Sequence, residues 1–173
     1  MPTGTTPHRG TEPESARRAA RSEDATKLLT SDHREVEKMF ADYRKASGNA
    51  RKQEIAAKIC LALTVHARIE EEIFYPAAEE SLAQKDEKLV EEAIVEHAAA
   101  KELIGEIEAM SPGEELYDAK IQVLCEQIEH HVDEEENQLF PKVRKTDADL
   151  AGLGARLAAR KQELMAGKDG GRA

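Results

Sequence analysis

The sequence predicts an all-α protein, an antiparallel four-helix bundle with one short extra helix at its C-terminal end. Charged residues make up 35% of the 173 residues and aromatic residues only 3%, with no tryptophan. This composition favours helices over sheet and requires a core of aliphatic side chains. Apolar residues recur at alternating steps of three and four in five stretches, and only short connections separate them. Short connections between long helices place them side by side in opposite directions.

The predicted helices follow one another along most of the chain. The first begins with the apolar line Leu29, His33, Val36 and Phe40, and the last carries a modest leucine stripe that is typical of a helix covering a bundle. A Ser-Pro-Gly-Glu-Glu segment at 111–115 separates the third helix from the fourth. The predicted ranges are 24–46, 50–82, 86–110, 114–145 and 148–167.

Three segments of the chain are predicted to differ in organisation. Residues 1–22 contain three of the six prolines with threonine, glycine and arginine, a composition that buries little apolar surface and predicts a disordered tail. Residues 23–146 form the predicted bundle. Residues 147–173 form the covering helix and its tail. Pro76 and Pro141 lie near the ends of two helices and are predicted to end or kink them.

Charge and hydropathy exclude several classes of function. The formal net charge of −10 argues against nucleic acid or an anionic membrane surface as a partner. No run of 18 apolar residues occurs, and the N-terminus has no apolar signal segment. We therefore expect a cytoplasmic protein, in which Cys60 and Cys125 are free thiols that serve as small buried apolar residues.

An internal repeat marks the candidate site. The stretches "CLALTVHARIEEEIFYP" (60–76) and "CEQIEHHVDEEENQLFP" (125–141) share one cysteine, one histidine, two adjacent glutamates and one proline at matching positions. His33 precedes His66 by 33 residues, and His97 precedes His131 by 34. Each half of the chain is therefore a helical hairpin with one histidine on its first helix and H-x3-E on its second.

Two such hairpins packed face to face bring their histidines and glutamates to one place. Residues four apart on a helix point in nearly the same direction. Burying these groups without a cation would cost several kcal/mol, and a metal removes that cost. The residues therefore predict a dinuclear metal site, with the candidate ligands His33, His66, Glu70, His97, His131 and Glu135.

Neighbouring polar residues receive other predicted roles. Glu71, Glu72, Glu134 and Glu136 are predicted to face solvent, with an extra metal ligand among them as the alternative. His130 lies about 100° from His131 around the helix, so a surface or supporting role is expected for it.

The motifs "DH" (32–33), "HARIE" (66–70), "EH" (96–97) and "HVDEE" (131–135) resemble those of the hemerythrin-like, HHE cation-binding family. The resemblance covers about residues 24–145. It implies a four-helix bundle with two non-haem iron ions joined by an oxo or hydroxo bridge. The four histidines would be nitrogen ligands, and Glu70 and Glu135 would be bridging carboxylates.

Two departures from the oxygen-carrying members bear on function. Lys101 stands where those members have a fifth histidine, and His131 is followed by Glu135 where they have H-x4-D. A charged lysine cannot ligate a metal, which leaves open positions for a small oxidant. A ferritin-like site would need Glu-x-x-His, and a zinc protease H-E-x-x-H; neither motif occurs.

Three classes of function remain open at this stage. The first is a module that senses or buffers iron, oxygen or nitric oxide. The second is a catalase-like or peroxide-reducing oxidoreductase, with an unidentified redox partner. The third is a protein whose metals only hold the bundle together. The sequence favours a di-iron protein that reacts with peroxide, oxygen or nitric oxide, with iron binding without turnover as the alternative.

Overall fold

The computed structural model describes residues 24–169. In its first half, α1 (Ala25–Lys45) and α2 (Asn49–Ile69) form a helical hairpin. A π-helical turn, Glu70–Phe74, follows α2 directly and leads into α3 (Tyr75–Ser81). The chain from 49 to 81 is therefore one continuous helical segment. The predicted tail over residues 1–22 lies outside the described residues.

The second half repeats this plan. After a short 3₁₀ turn at Gln84–Asp86 come α4 (Lys88–Glu108) and α5 (Tyr117–Glu134). A second π-helical turn, Glu135–Leu139, leads into α6 (Phe140–Val143), and α7 (Leu150–Asp169) closes the described chain. The predicted all-α bundle with an extra C-terminal helix is confirmed.

Local chemistry sets where the helices begin. Asp24 caps α1, because its side chain accepts the Lys27 backbone N–H at 3.1 Å. Between α4 and α5, Gly113 and Leu116 both have positive φ, 99° and 71°. A non-glycine residue in this region breaks the helical path, so α5 begins at Tyr117 rather than at the predicted residue 114.

The two π-helical turns explain how the chain accommodates its prolines. The Tyr75 N–H donates to the Glu70 carbonyl, and the Phe140 N–H donates to the Glu135 carbonyl. Each bond spans five residues rather than four, which widens the helix by one residue. Pro76 and Pro141 would otherwise clash with a carbonyl of the preceding turn. The two helices therefore do not end at Pro76 and Pro141 but continue beyond them, as the predicted ranges 50–82 and 114–145 require.

Two apolar clusters fill the bundle, one on each side of a polar middle layer. The first contains Val36, Phe40, Ile59 and Leu124. The second contains Leu29, Ile69, Phe74, Phe140 and the α7 residue Leu157, among others. Helix α7 packs on α1 and α2, so it covers one side of the bundle as predicted. No helix within the described part of the chain is long and apolar enough to cross a membrane.

Candidate metal centre

The polar middle layer consists of four histidines and two glutamates, each at most 6% exposed. One histidine comes from each of the four bundle helices: His33 from α1, His66 from α2, His97 from α4 and His131 from α5. Glu70 and Glu135 are the first residues of the two π-helical turns. The structure therefore brings together all six side chains that the sequence singled out as ligand candidates.

The histidines form two pairs whose Nε2 atoms meet. The Nε2 atoms of His33 and His66 are 3.1 Å apart. Those of His97 and His131 are also 3.1 Å apart. Two neighbouring ligands of an octahedral ion, each about 2.1 Å from it, lie about 3.0 Å apart. Each pair therefore has the spacing of two ligands on one ion.

Each buried glutamate reaches both histidine pairs. Glu70 Oε2 lies 3.1 Å from His66 Nε2 and 3.4 Å from His97 Nε2. Glu135 Oε2 lies 3.3 Å from His33 Nε2 and 3.6 Å from His131 Nε2. The two carboxylates are therefore related by the same pseudo-twofold symmetry as the hairpins, and each can span two ions.

Several of these buried atoms have no hydrogen-bond partner within the described residues. They include both carboxylate oxygens of Glu70 and Oε2 of Glu135. A buried carboxylate oxygen without a partner costs several kcal/mol unless a cation neutralises it. These orphaned oxygens, set among imidazole nitrogens, fit a metal ion and no apolar ligand.

Two glutamates that the sequence assigned to the solvent-facing surface instead support the histidines. Glu136 accepts from His33 Nδ1 at 2.8 Å, and Glu71 accepts from His97 Nδ1 at 3.1 Å. Each directly follows one of the buried glutamates in the chain. A proton held on Nδ1 leaves the Nε2 lone pair free to bind metal. Their predicted solvent-facing role is therefore wrong.

The other two histidines, His66 and His131, each have a carboxylate beside Nδ1. These carboxylates belong to Asp32 and Glu96, which immediately precede the first histidine of each hairpin in the chain. Glu96 accepts from His131 Nδ1 at 2.8 Å. Asp32 Oδ2 lies 3.6 Å from His66 Nδ1, an ion-pair distance longer than a hydrogen bond. Every histidine of the centre thus has a carboxylate near its Nδ1 atom. The internal repeat places these four carboxylates at matching positions in the two halves.

Tyr75 and Phe140 break the symmetry of the centre. The Tyr75 hydroxyl donates to Glu135 Oε1 at 2.9 Å and lies 3.3 Å from His97 Nε2. Phe140 holds the equivalent position in the other half, where it stacks on the His33 ring at 5.9 Å. The sequence carries a signal for both, since each precedes the proline of its repeat. The π-helical turns then direct them to the centre.

Burial and charge perturb the pKa values at the centre. Burial alone would lower the pKa of His66, but Glu70 and Asp32 raise it to about 10. Burial alone would raise the pKa of Glu70, but His66 and His97 hold it well below its ordinary value. Burial, with Glu70 and Glu135 nearby, raises the pKa of Tyr75 well above its ordinary value, so its hydroxyl keeps its proton in the metal-free chain.

A small cavity of about 20 Å³ adjoins the four histidines. Apolar side chains including Val36, Leu63, Ile104 and Val132 line most of it, and Lys101 lies at its edge. A single water needs about 10–15 Å³ of such space, so the cavity of about 20 Å³ admits a molecule with about two non-hydrogen atoms. The Lys101 ammonium contacts both Glu71 oxygens at 2.5 Å rather than the centre.

The two cysteines take no part in the centre and are expected to react slowly. Both are buried, and neither forms a disulfide within the described residues. Burial, followed by the nearby Glu129 carboxylate, raises the pKa of Cys125 to about 12, and thiol reagents require the thiolate. We expect a thiol-reactive disulfide reagent to label neither cysteine rapidly in the native protein and both after denaturation. Rapid labelling of Cys125 in the native state would contradict this.

Comparison with known proteins agrees with this geometry. The family model for the Hemerythrin HHE cation binding domain matches residues 24–143. A hemerythrin HHE cation binding domain-containing protein from Mycobacterium kansasii has a crystal structure with a TM-score of 0.72 to this chain. It is 25% identical, and the match covers 84% of this chain and 89% of that one.

Two curated relatives match at the level of sequence. A DNA nickase of Nostoc sp. is 28% identical over 68% of this chain, which spans only 32% of the nickase. An uncharacterised hemerythrin-like protein of Schizosaccharomyces pombe is 24% identical over 66% of this chain and 56% of its own length. The family model covers most of the chain and its helical fold matches that of a family member. The chain therefore belongs to the hemerythrin HHE cation-binding domain family.

Proposed function

We propose that this domain holds two non-haem iron ions, one at each histidine pair. The observation that carries the proposal is the pair of buried carboxylates, each of which reaches both pairs while its own oxygens lack other partners. His33 and His66 would bind one ion, His97 and His131 the other, and Glu70 and Glu135 would span the two. Imidazole with carboxylate is a ligand set that suits iron.

We further propose that the centre reacts with a small inorganic oxidant, and that this oxidant is hydrogen peroxide. The cavity beside the histidines holds about 20 Å³, which excludes organic substrates of ordinary size. Its apolar lining favours small uncharged molecules over anions. If the metals had a purely structural role, no cavity beside the histidines would be needed.

The chain's own residues fit disproportionation of peroxide to water and oxygen. Bound iron would supply the redox change, and two peroxide molecules would balance each other without an external electron donor. The Tyr75 hydroxyl, a buried donor 2.9 Å from Glu135, is placed to donate a hydrogen bond at one side of the centre. Lys101 is engaged with Glu71 and leaves free the position that a fifth histidine would fill.

A binding function without turnover is the second candidate, because the same cavity also fits oxygen or nitric oxide. Under this alternative the domain would sense or buffer iron or a diatomic gas. The nicking activity in the name of the Nostoc relative belongs to a protein of which this chain spans 32%. The net charge of −10 favours a small uncharged partner over DNA.

Peroxide turnover provides the test. Iron-loaded protein is expected to release oxygen from hydrogen peroxide faster than it forms any reversible oxygen complex. Lys101→His would add a ligand beside the cavity, so we expect at least a severalfold loss of turnover and a longer-lived oxygen adduct. An oxygen electrode measures the first effect and visible absorption the second.

Lys120→His is the matched control. Lys120 pairs with Glu106 at the surface and does not line the cavity, so this variant should turn over peroxide as the unaltered chain does. A stable, reversible oxygen complex in the unaltered chain, without peroxide turnover, would contradict the proposed reaction and favour the binding module.

A further inference from the structure

Three of the four carboxylates behind the histidines are paired with a basic side chain. In each of these ion pairs the basic side chain neutralises the negative charge of the carboxylate. The pair also connects the buried centre to the surface of the bundle. The pairs are Arg34 with Glu136, Lys101 with Glu71 and Lys161 with Asp32. The Lys161 ammonium lies 2.6 Å from Asp32 Oδ1.

Glu96 is the exception. One of its oxygens accepts from His131 Nδ1 at 2.8 Å. The other lies 3.7 Å from Nε2 of His130, a residue with a 66% exposed side chain. Glu134 Oε1 is 3.6 Å from the same nitrogen. Among residues 24–167, no lysine or arginine forms an ion pair with Glu96 or Glu134, and the His130 ring lies between the two carboxylates.

The two halves of the pseudo-twofold bundle differ in the residues around this carboxylate. Asp32 is the counterpart of Glu96, and Val65 and Ile69 are the counterparts of His130 and Glu134. In the first half these two positions are buried apolar residues, and α7 brings Lys161 to Asp32. The second half has no covering helix in the described chain. Its equivalent positions face solvent and carry metal-binding side chains instead.

We propose that Glu96, His130 and Glu134 form a third metal site, which binds a divalent first-row transition cation at the surface. An imidazole with two carboxylates is a ligand set for such ions. Ligands about 2.1 Å from an ion lie about 3.0–4.2 Å apart, depending on their angle at the ion. The observed 3.6 and 3.7 Å fall within this range, and all three ligand atoms lie within 4.8 Å of one another, so a rotation of the exposed side chains lets them share an ion.

The bound cation would neutralise the negative charge of Glu96, as the basic side chains neutralise the charges of the other three carboxylates. Because Glu96 also holds Nδ1 of His131, this ion would lie one carboxylate away from the buried centre. The site is exposed and leaves room for water as the remaining ligands. We therefore expect weaker binding and faster exchange than at the buried centre. The site stands independently of the identity of the buried metals.

Manganese(II) is the probe for this site. The full chain is first loaded with two equivalents of zinc(II) and no excess, so that the tighter buried centre takes up the zinc and the surface site stays open, and the zinc is then counted by metal analysis. Manganese(II) is then added, and electron paramagnetic resonance reports the free ion. We expect one further manganese per chain, with broadening of the His130 ring signals in proton NMR. His130→Ala and Glu134→Gln should each weaken this binding at least tenfold while the zinc content stays unchanged.

Glu92→Gln is the matched control, since it removes one negative charge from the same exposed face and leaves the three ligands intact. It should retain the manganese site. Equal weakening by Glu92→Gln and Glu134→Gln, or the absence of saturable binding in the unaltered chain, would overturn the proposal in favour of a diffuse acidic surface. Failure of the buried centre to hold metal would appear separately, in the zinc count.

Discussion

Protein reconstituted with ferrous iron is expected to bind two irons per chain, and the Glu70→Gln variant fewer than one. Glu70 reaches both histidine pairs, at 3.1 and 3.4 Å from their Nε2 atoms. The amide of glutamine carries no charge and cannot neutralise two cations. Removing a residue that only supports a ligand costs about 10–100-fold in metal affinity. We therefore expect the loss of a carboxylate shared by both ions to exceed about 100-fold.

Glu72→Gln is the control for this experiment, because Glu72 lies two residues away in the same π-helical turn. Its carboxylate pairs with Arg68 and Arg160 at the surface. This variant should bind two irons. The iron content of desalted protein, measured against protein concentration, gives the result. One metal per chain in the fully loaded, unaltered protein would refute a dinuclear centre.

Removal of the metal is expected to lower the melting temperature of the unaltered chain, and to change that of the Glu70→Gln variant much less. A ligand at 100 times its dissociation constant stabilises the native state by about 2.7 kcal/mol. For a domain of this size that corresponds to roughly 5–10 °C. The Glu70→Gln variant is expected to hold fewer than one iron, so it gains little of this stabilisation.

The comparison needs four melting curves, with and without metal, for the unaltered chain and for Glu70→Gln. The metal-loaded parent should melt highest of all, while the variant should melt at nearly the same temperature with and without metal. Circular dichroism at 222 nm follows the transition, and metal analysis confirms its removal. If the parent melts at the same temperature with and without metal, the ions do not lie in its core.

The sequence was sufficient to predict the fold and the convergence of the six buried polar residues. Both follow from regular helical spacing and from an internal repeat that places like residues at like positions. A helical period of 3.6 residues locates His66 and Glu70 on one face. It also sets the histidine layer between two apolar layers, as Leu29, His33 and Val36 illustrate.

What the sequence could not supply depends on departures from that period. The π-helical turn after Glu70 adds one residue per turn, so a regular helix does not predict where Tyr75 points. The roles of Glu71 and Glu136 were missed for a related reason. Each neighbours a buried glutamate and, on one helix alone, would face solvent. Only the packing of a second helix brings His97 or His33 within reach of them.

The buried histidines also make protons competitors of the metal. In the metal-free chain the pKa of His66 is raised to about 10, and that of His131 is raised as well. The His66 imidazole therefore carries an extra proton at neutral pH, and that proton must leave before the nitrogen can bind an ion. Metal affinity consequently rises with pH, about tenfold per pH unit for each proton displaced. Acidification therefore favours release of the ions, even though every ligand remains in place.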